Sequence, residues 1–155
     1  MKLKNLKVQF KIEKKFKFET SRYIFILDNV SCTVYSHSKN IVHVTGIKSF
    51  FHLNQIKSEI NRLYCLVSFK IDNQFYSHKD NKILNLNRIF HMMRNHHDGF
   101  KVSYESELFN GIVIRHHDKS YPTALLFKTG SYQIMGGKMS YVSYVKHFVQ
   151  LYLKT

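Results

Sequence analysis

The chain has 155 residues, enough for one domain or one pair of fused repeats, and its 44% apolar and 15% aromatic content excludes a disordered basic tail. Lys and Arg total 24 against 10 Asp and Glu, and the resulting net charge of +14 points to a polyanionic partner, nucleic acid foremost. Cys32 and Cys65 form no Cys-x-x-Cys pair, which argues against a zinc knuckle or a disulfide-stapled secreted domain, and the opening MKLKNLKVQFKIEKKFKF interrupts its apolar positions with Lys, Gln or Glu. The expectation is an intracellular protein with no membrane span.

In chain order, alternating segments rich in β-branched and aromatic residues predict strands over 8–12, 16–28, 31–35 and 41–46. Ser49 then caps a predicted helix whose Leu53, Ile56, Ile60 and Leu63 fall at steps of three and four. A strand over 66–76 and a helix over 83–95 follow, the helix with Ile83, Leu86, Ile89, Phe90 and Met93 on one side. Strands are predicted over 111–115, 123–127 and 131–136, and a last helix over 140–153 places Tyr141, Tyr144, Val145, Phe148 and Leu151 on one face. The pattern predicts an antiparallel sheet with helices on one face.

The sequence also repeats itself. TVYSHSKNIVHVTGIKSFFHLNQIKSEI and ALLFKTGSYQIMGGKMSYVSYVKHFVQLYL share an aromatic-ended strand, a tight turn, a strand ending Gly-x-Lys and a helix, with Gly46 and Gly136 at the same point of each. Upstream, Asn5 and Asn73 lie closer together than the two glycines do, so the first copy is expected to have lost its first helix, with a short Lys-rich turn in its place. The copies divide the chain into 1–64 and 65–155.

Within the second copy, YESELFNGIVIR (104–115) resembles the pattern Tyr-Glu-Pro-Glu-x-Phe-Pro-Gly-Leu-Ile-Tyr-Arg of the TATA-box-binding protein family, and a Phe-x-x-Gly hairpin and Gly-x-Lys follow at that family's spacing. FKIDN (69–73) resembles its Phe-Lys-Ile-Gln-Asn; the match is specific over 69–155 and rests on element order alone before that. The resemblance implies the family's α+β saddle: two pseudo-repeats forming one curved antiparallel sheet with helices on the convex face. It implies a concave sheet facing the minor groove, where an apolar surface accepts A·T pairs because they lack the guanine amino group. Apolar wedges then open base steps in flexible TA-rich DNA, a kinking established for this family.

Carried over by position, Phe109 and Phe127 match the second repeat's wedge pair, with Tyr23 and Tyr35 in the corresponding places of the first; packing at a strand end is the competing role for both tyrosines. Asn73 and Asn5 match the central asparagines that bond groove acceptors, with a turn role as the alternative. Period-two alternation points Leu125, Thr45, His43, Gln133 and Met135 to the DNA face and Val44, Ile134 and Leu126 to the helices. His43 and Gln133 stand where the family has valine, Met135 where it has threonine, and Phe75 where another valine belongs. Arg115, Lys48 and Lys138 match phosphate-contacting positions, which orient rather than specify. Glu105, Glu107 and Leu108 match the acidic loop that docks transcription factor IIB, with simple solvation as the alternative.

His96-His97, His116-His117 and His91 suggest imidazole chemistry, but no Cys or carboxylate lies at a ligand spacing, so no metal site is expected. No phosphate loop, nucleophile elbow or carboxylate pair is present, and neither an enzyme nor a cofactor is expected. The reading is a viral or otherwise divergent initiation factor, acting in a nucleus or a viral replication compartment as a monomer or a subunit of a heteromeric complex. It would bind and bend AT-rich duplex DNA and recruit a factor-IIB-like protein or polymerase subunits. The alternatives are an interaction scaffold of the same fold without TATA recognition, and a binder of RNA or single strands using exposed aromatics.

Overall fold

The structure, a computed structural model, describes residues 1–96 and 98–154. The chain forms two compact units, Leu3–Gln74 and Phe75–Thr155, the latter with Met1–Lys2. The division falls inside one strand, β5 (Leu66–His78).

The N-terminal unit is built from β1 (Lys2–Ile12), β2 (Arg22–Leu27), β3 (Val30–Tyr35), β4 (Ile41–Ile47), helix α1 (Phe50–Tyr64) and the first part of β5 (Leu66–His78). Its strand order is β2-β3-β4-β1-β5. Alternation along the strands drives the packing: Val8, Phe10, Cys32, Val34, Val42 and Val44 point to one side and are buried against Leu53, Ile56 and Ile60 of α1. Each such side chain contributes about 1.5–3 kcal/mol by leaving water. Ser49 caps α1 as expected, its Oγ accepting the His52 N–H at 3.0 Å. Leu63, expected on the buried face, is instead 38% exposed.

No helix lies between β1 and β2, so the first repeat lacks its first helix, as the short spacing implied. Residues 13–21, expected in part as strand, form an irregular segment whose aromatics take over the covering role. The Phe16 ring packs 4.9 Å from Tyr64 and 5.5 Å from Phe25, and Lys39 pins the segment by donating to the Phe18 carbonyl at 2.9 Å. β2 and β3 are joined by a two-residue turn at Asp28–Asn29, whose φ values of 47° and 64° fit the twist of a tight hairpin.

The C-terminal unit holds the rest of β5, helix α2 (Leu86–Arg94), β6 (Phe100–Ser103), β7 (Gly111–His116), β8 (Thr123–Phe127), β9 (Tyr132–Met135), a single 3₁₀ turn (Met139–Tyr141) and helix α3 (Val142–Leu153). Its strand order is β5-β9-β8-β7-β6, all antiparallel. Ile112, Ile114, Ala124, Leu126, Tyr132 and Ile134 are buried beneath Leu86, Ile89 and Met93 of α2 and Val142, Val145, Phe148 and Val149 of α3. Strand β6 was not anticipated; its four residues carry too short an alternation to register.

Both C-terminal helices differ from expectation at their starts. α2 begins only after Asn85, whose Oδ1 accepts the Arg88 N–H at 3.2 Å, and Ile83 is left 100% exposed. α3 follows the 3₁₀ turn, which rotates its inner face: Val149 and Tyr152 are buried, whereas Tyr144 and Leu151 face outward. Among the described residues no helix is long and apolar enough to cross a membrane.

Strand β5 changes its alternation partway. Phe69 stacks on Phe10 at 6.1 Å and Ile71 packs on the same core, yet Phe75 pairs with Met135 on the side away from the helices. An uninterrupted strand cannot place odd-numbered residues on both sides. The pattern slips by one at Asp72 and Asn73, and both project outward.

Candidate nucleic-acid interface

Each unit leaves one sheet face open, opposite its helices. In the C-terminal unit the floor is largely apolar. Val113 lies across from Leu125, Leu125 from Gln133, and Phe75 from Met135, while their neighbours Ile114, Leu126 and Ile134 point to the core. The alternation therefore places Leu125, Gln133 and Met135 on the face predicted for them. Arg115 pairs across from Lys101, is exposed, and adds a cationic margin.

At the end of this floor, Phe127 closes β8 opposite Gly111, and Phe109 leans over the same position two residues before the strand begins. The rings meet edge to face with centroids 5.8 Å apart, and Phe109 stays 37% exposed. Gly111 makes this possible, because a Cβ there would stand 3.1 Å from both rings and 3.0 Å from the Leu126 carbonyl. The preceding loop is an open turn in which the Glu105 carbonyl accepts the N–H groups of Leu108 and Phe109, each at 2.9 Å. Glu105 and Glu107 are exposed, and Leu108 is 81% exposed at the apex.

Gly136 and Gly137 turn the chain after β9 with φ values of 74° and 64°, delivering exposed Lys138. A Cβ at Gly137 would run into the backbone of Tyr121 and Pro122, so the turn needs glycine for close approach as well as for its φ. Asn73 is exposed, and its Oδ1 accepts the neighbouring Gln74 N–H at 2.9 Å.

The N-terminal unit uses the same ladder with different residues. Tyr35 ends β3 on the open face, 5.1 Å from the His43 ring and opposite Arg22. That pair matches Phe127 opposite Gly111. Tyr23 is a correction. It pairs with Val34, on the helix side, and packs among Phe16, Phe18 and Phe25, so it is the counterpart of buried Ile112 rather than of Phe109. Thr45 is exposed on the open face opposite Ser31, and Lys48 is exposed after Gly46. Asn5 has a structural task. β1 carries a bulge between Leu6 and Val8, and the Asn5 Oδ1 accepts the Gly46 N–H at 2.9 Å there.

Sequence reasoning did not single out Gln9 and Asp72. Gln9 lies across from His43, and its Nε2 donates to Asp72 Oδ2 at 2.6 Å, with Lys70 Nζ 3.9 Å from the other carboxylate oxygen. Loss of solvation holds the His43 imidazole below its ordinary pKa of 6.5, against the opposing pull of the Asp72 charge. The Val8-Gln9-Phe10 alternation signalled Gln9. Nothing signalled Asp72, because its direction depends on the slip in β5.

Two histidines of the C-terminal unit, His96 and His116, lie on its helix side. His96 bridges Tyr152 Oη at 2.7 Å and Asp98 Oδ2 at 2.8 Å, and His116 stacks on Tyr121 at 3.8 Å. Among the described residues no three His, Cys, Asp or Glu side chains come together as a metal site; His97 lies outside them.

Two findings place the chain among known proteins. The family model described as "Transcription factor TFIID (or TATA-binding protein, TBP)" matches residues 68–147, more than half of the chain. The fold is similar to that of the TBP of Methanococcus jannaschii, with a TM-score of 0.65 at 21% identity over 99% of this chain and 97% of that one. No curated protein matches the sequence. The chain is a divergent member of the TATA-binding protein family of transcription factors, a family of DNA-binding proteins rather than enzymes.

Proposed function

We propose that the protein is a transcription-initiation factor that binds AT-rich duplex DNA through the minor groove and bends it. The observation that carries this reading is the Phe109–Phe127 pair, Phe109 exposed and Phe127 half-buried, held by Gly111 at the end of an apolar sheet face. An apolar floor of Phe75, Val113, Leu125 and Met135 suits the acceptor-only edge of A·T pairs and disfavours the guanine amine. Two edge-to-face rings at its margin can enter a base step, and flexible TA steps cost least to open.

Arg115, Lys138 and Lys48 contact phosphates in this reading, while Asn73, Tyr35 and Thr45 meet the groove from the open faces; Asn5 contributes chiefly by shaping β1. Neutralising roughly six phosphates gives a slope of about −5 in log affinity against log salt. Glu105, Glu107 and Leu108 form the docking loop for a factor-IIB-like protein or a polymerase subunit, since two exposed carboxylates on a +14 chain are poorly placed to serve DNA. The setting is a nucleus or a viral replication compartment.

A second reading, an interaction scaffold without autonomous TATA recognition, is favoured by the polar Gln9, His43 and Asp72 on the N-terminal open face. Duplex binding followed by anisotropy over a salt series, with end-to-end energy transfer reporting the bend, separates the two. A factor that bends DNA prefers TA-rich over GC-rich duplexes, and Phe109→Ala with Phe127→Ala removes the bend while keeping the salt slope. Binding that is indifferent to sequence, unbent and untouched by the double variant rejects the initiation-factor reading in favour of the scaffold.

A further inference from the structure

We infer that the N-terminal open face reads a G·C pair, through a row of hydrogen-bond acceptors formed by Asp72, Gln9 and His43. The inference rests on the groove-binding reading and adds a base preference that an apolar floor does not supply.

The row runs across three strands of one unit. His43 on β4 lies opposite Gln9 on β1, and Gln9 reaches Asp72 on β5 at 2.6 Å. The Gln9 Nε2 gives one of its two N–H groups to the carboxylate, and the Gln9 Oε1 adds an acceptor to the row. Asp72 offers acceptor positions on both oxygens, and Gln9 occupies one of them. His43 is kept from charging by desolvation, so its ring retains one acceptor nitrogen near neutral pH.

The minor-groove edges of A·T and T·A carry acceptors alone, whereas G·C adds the guanine N2 amine as a donor. Acceptors facing acceptors in a dehydrated groove leave both unpaired and stripped of their water. The row therefore opposes A·T and matches the guanine amine, the reverse of the apolar floor in the C-terminal unit. Lys7, Lys70 and His37, the charged or titratable groups besides Asp72 that act on His43, offset the repulsion between the carboxylate and the phosphates.

The test is selection from a pool of duplexes carrying eight random base pairs between fixed flanks, with the full chain, at one salt concentration. The wild type is expected to enrich A·T on one side of the site and a G·C pair on the other, by roughly tenfold over A·T there, as one good base contact allows. Asp72→Asn, which keeps an acceptor for Gln9, weakens that G·C preference, and Asp72→Val with His43→Val abolishes it. Phe109→Ala with Phe127→Ala lowers overall binding and leaves the preference in place. Enrichment of A·T on both sides by the wild type overturns the inference alone, as does a G·C preference that survives in Asp72→Val with His43→Val. Failure to enrich any sequence overturns the groove-binding reading and this inference with it.

Discussion

The two repeats share a ladder and differ in what covers each side of it. In the second, two helices close the core and the open face is apolar; in the first, one helix and an aromatic plug close it, and the open face carries Gln9, His43 and Asp72. The helix side of both copies kept branched aliphatics at matching places, Val34 for Leu126 and Val44 for Ile134. Folding constrains one side of such a sheet and leaves the other to drift with its ligand.

The largest test of this contrast concerns the covers. Phe148 of α3 is 3% exposed and stacked on Phe100 at 4.1 Å, so Phe148→Ala should cost about 3–5 kcal/mol in urea unfolding. Phe16, half-buried in the plug, should cost only about 1–2 kcal/mol when cut to alanine. Equal losses would show that the plug is as much a core element as the helix it replaces.

Gly111→Ala sharpens the contrast between folding and binding. The added Cβ would press on the Leu126 carbonyl and on both rings, which must give by a few tenths of an ångström, so DNA bending by energy transfer should fall part of the way toward that of the double alanine variant, while stability drops by about 1 kcal/mol. Retained bending would mean that the rings need not be held edge to face.

A smaller effect follows from His43. Its folded pKa lies below the unfolded one, so the unfolded chain takes up the proton first. The corresponding stability is complete above about pH 6.5 and is lost as pH falls through the lowered folded value. Thermal melts of wild type and His43→Gln from pH 7.5 to 5 should converge toward acid, and parallel curves would contradict the assignment. The least perturbing test is thiol labelling. Burial pushes the Cys32 thiol up to about 11, while Cys65 is exposed, so a thiol reagent at pH 7.5 should modify one cysteine in the native protein and two in denaturant.

The second repeat was legible because its signals are local: a Phe-x-Gly element, a hairpin and a Gly-x-Lys turn each fix a few consecutive residues. Alternation gave the faces of β4, β8 and β9 directly. It failed where one residue resets the phase. The face of Tyr23 is set by its pairing with Val34 and not by its aromatic identity, and the 3₁₀ turn before α3 leaves Tyr144 exposed. Asp72 remained hidden for the same reason, since the pattern on either side of it is regular.

The slip in β5 also bears on how such a chain can change over generations. Point substitutions on either side of Asp72 and Asn73 alter one contact at a time. A deletion of one of these two residues would restore strict alternation and leave Phe75 and Ser77 on the open face and Tyr76 and His78 toward the helices, whereas a deletion within either regular part would turn every residue between it and the slip to the other side. The slip is therefore a place in β5 where the loss of a single residue leaves the faces intact, and relatives should vary in length there more readily than in the regular parts of the strand.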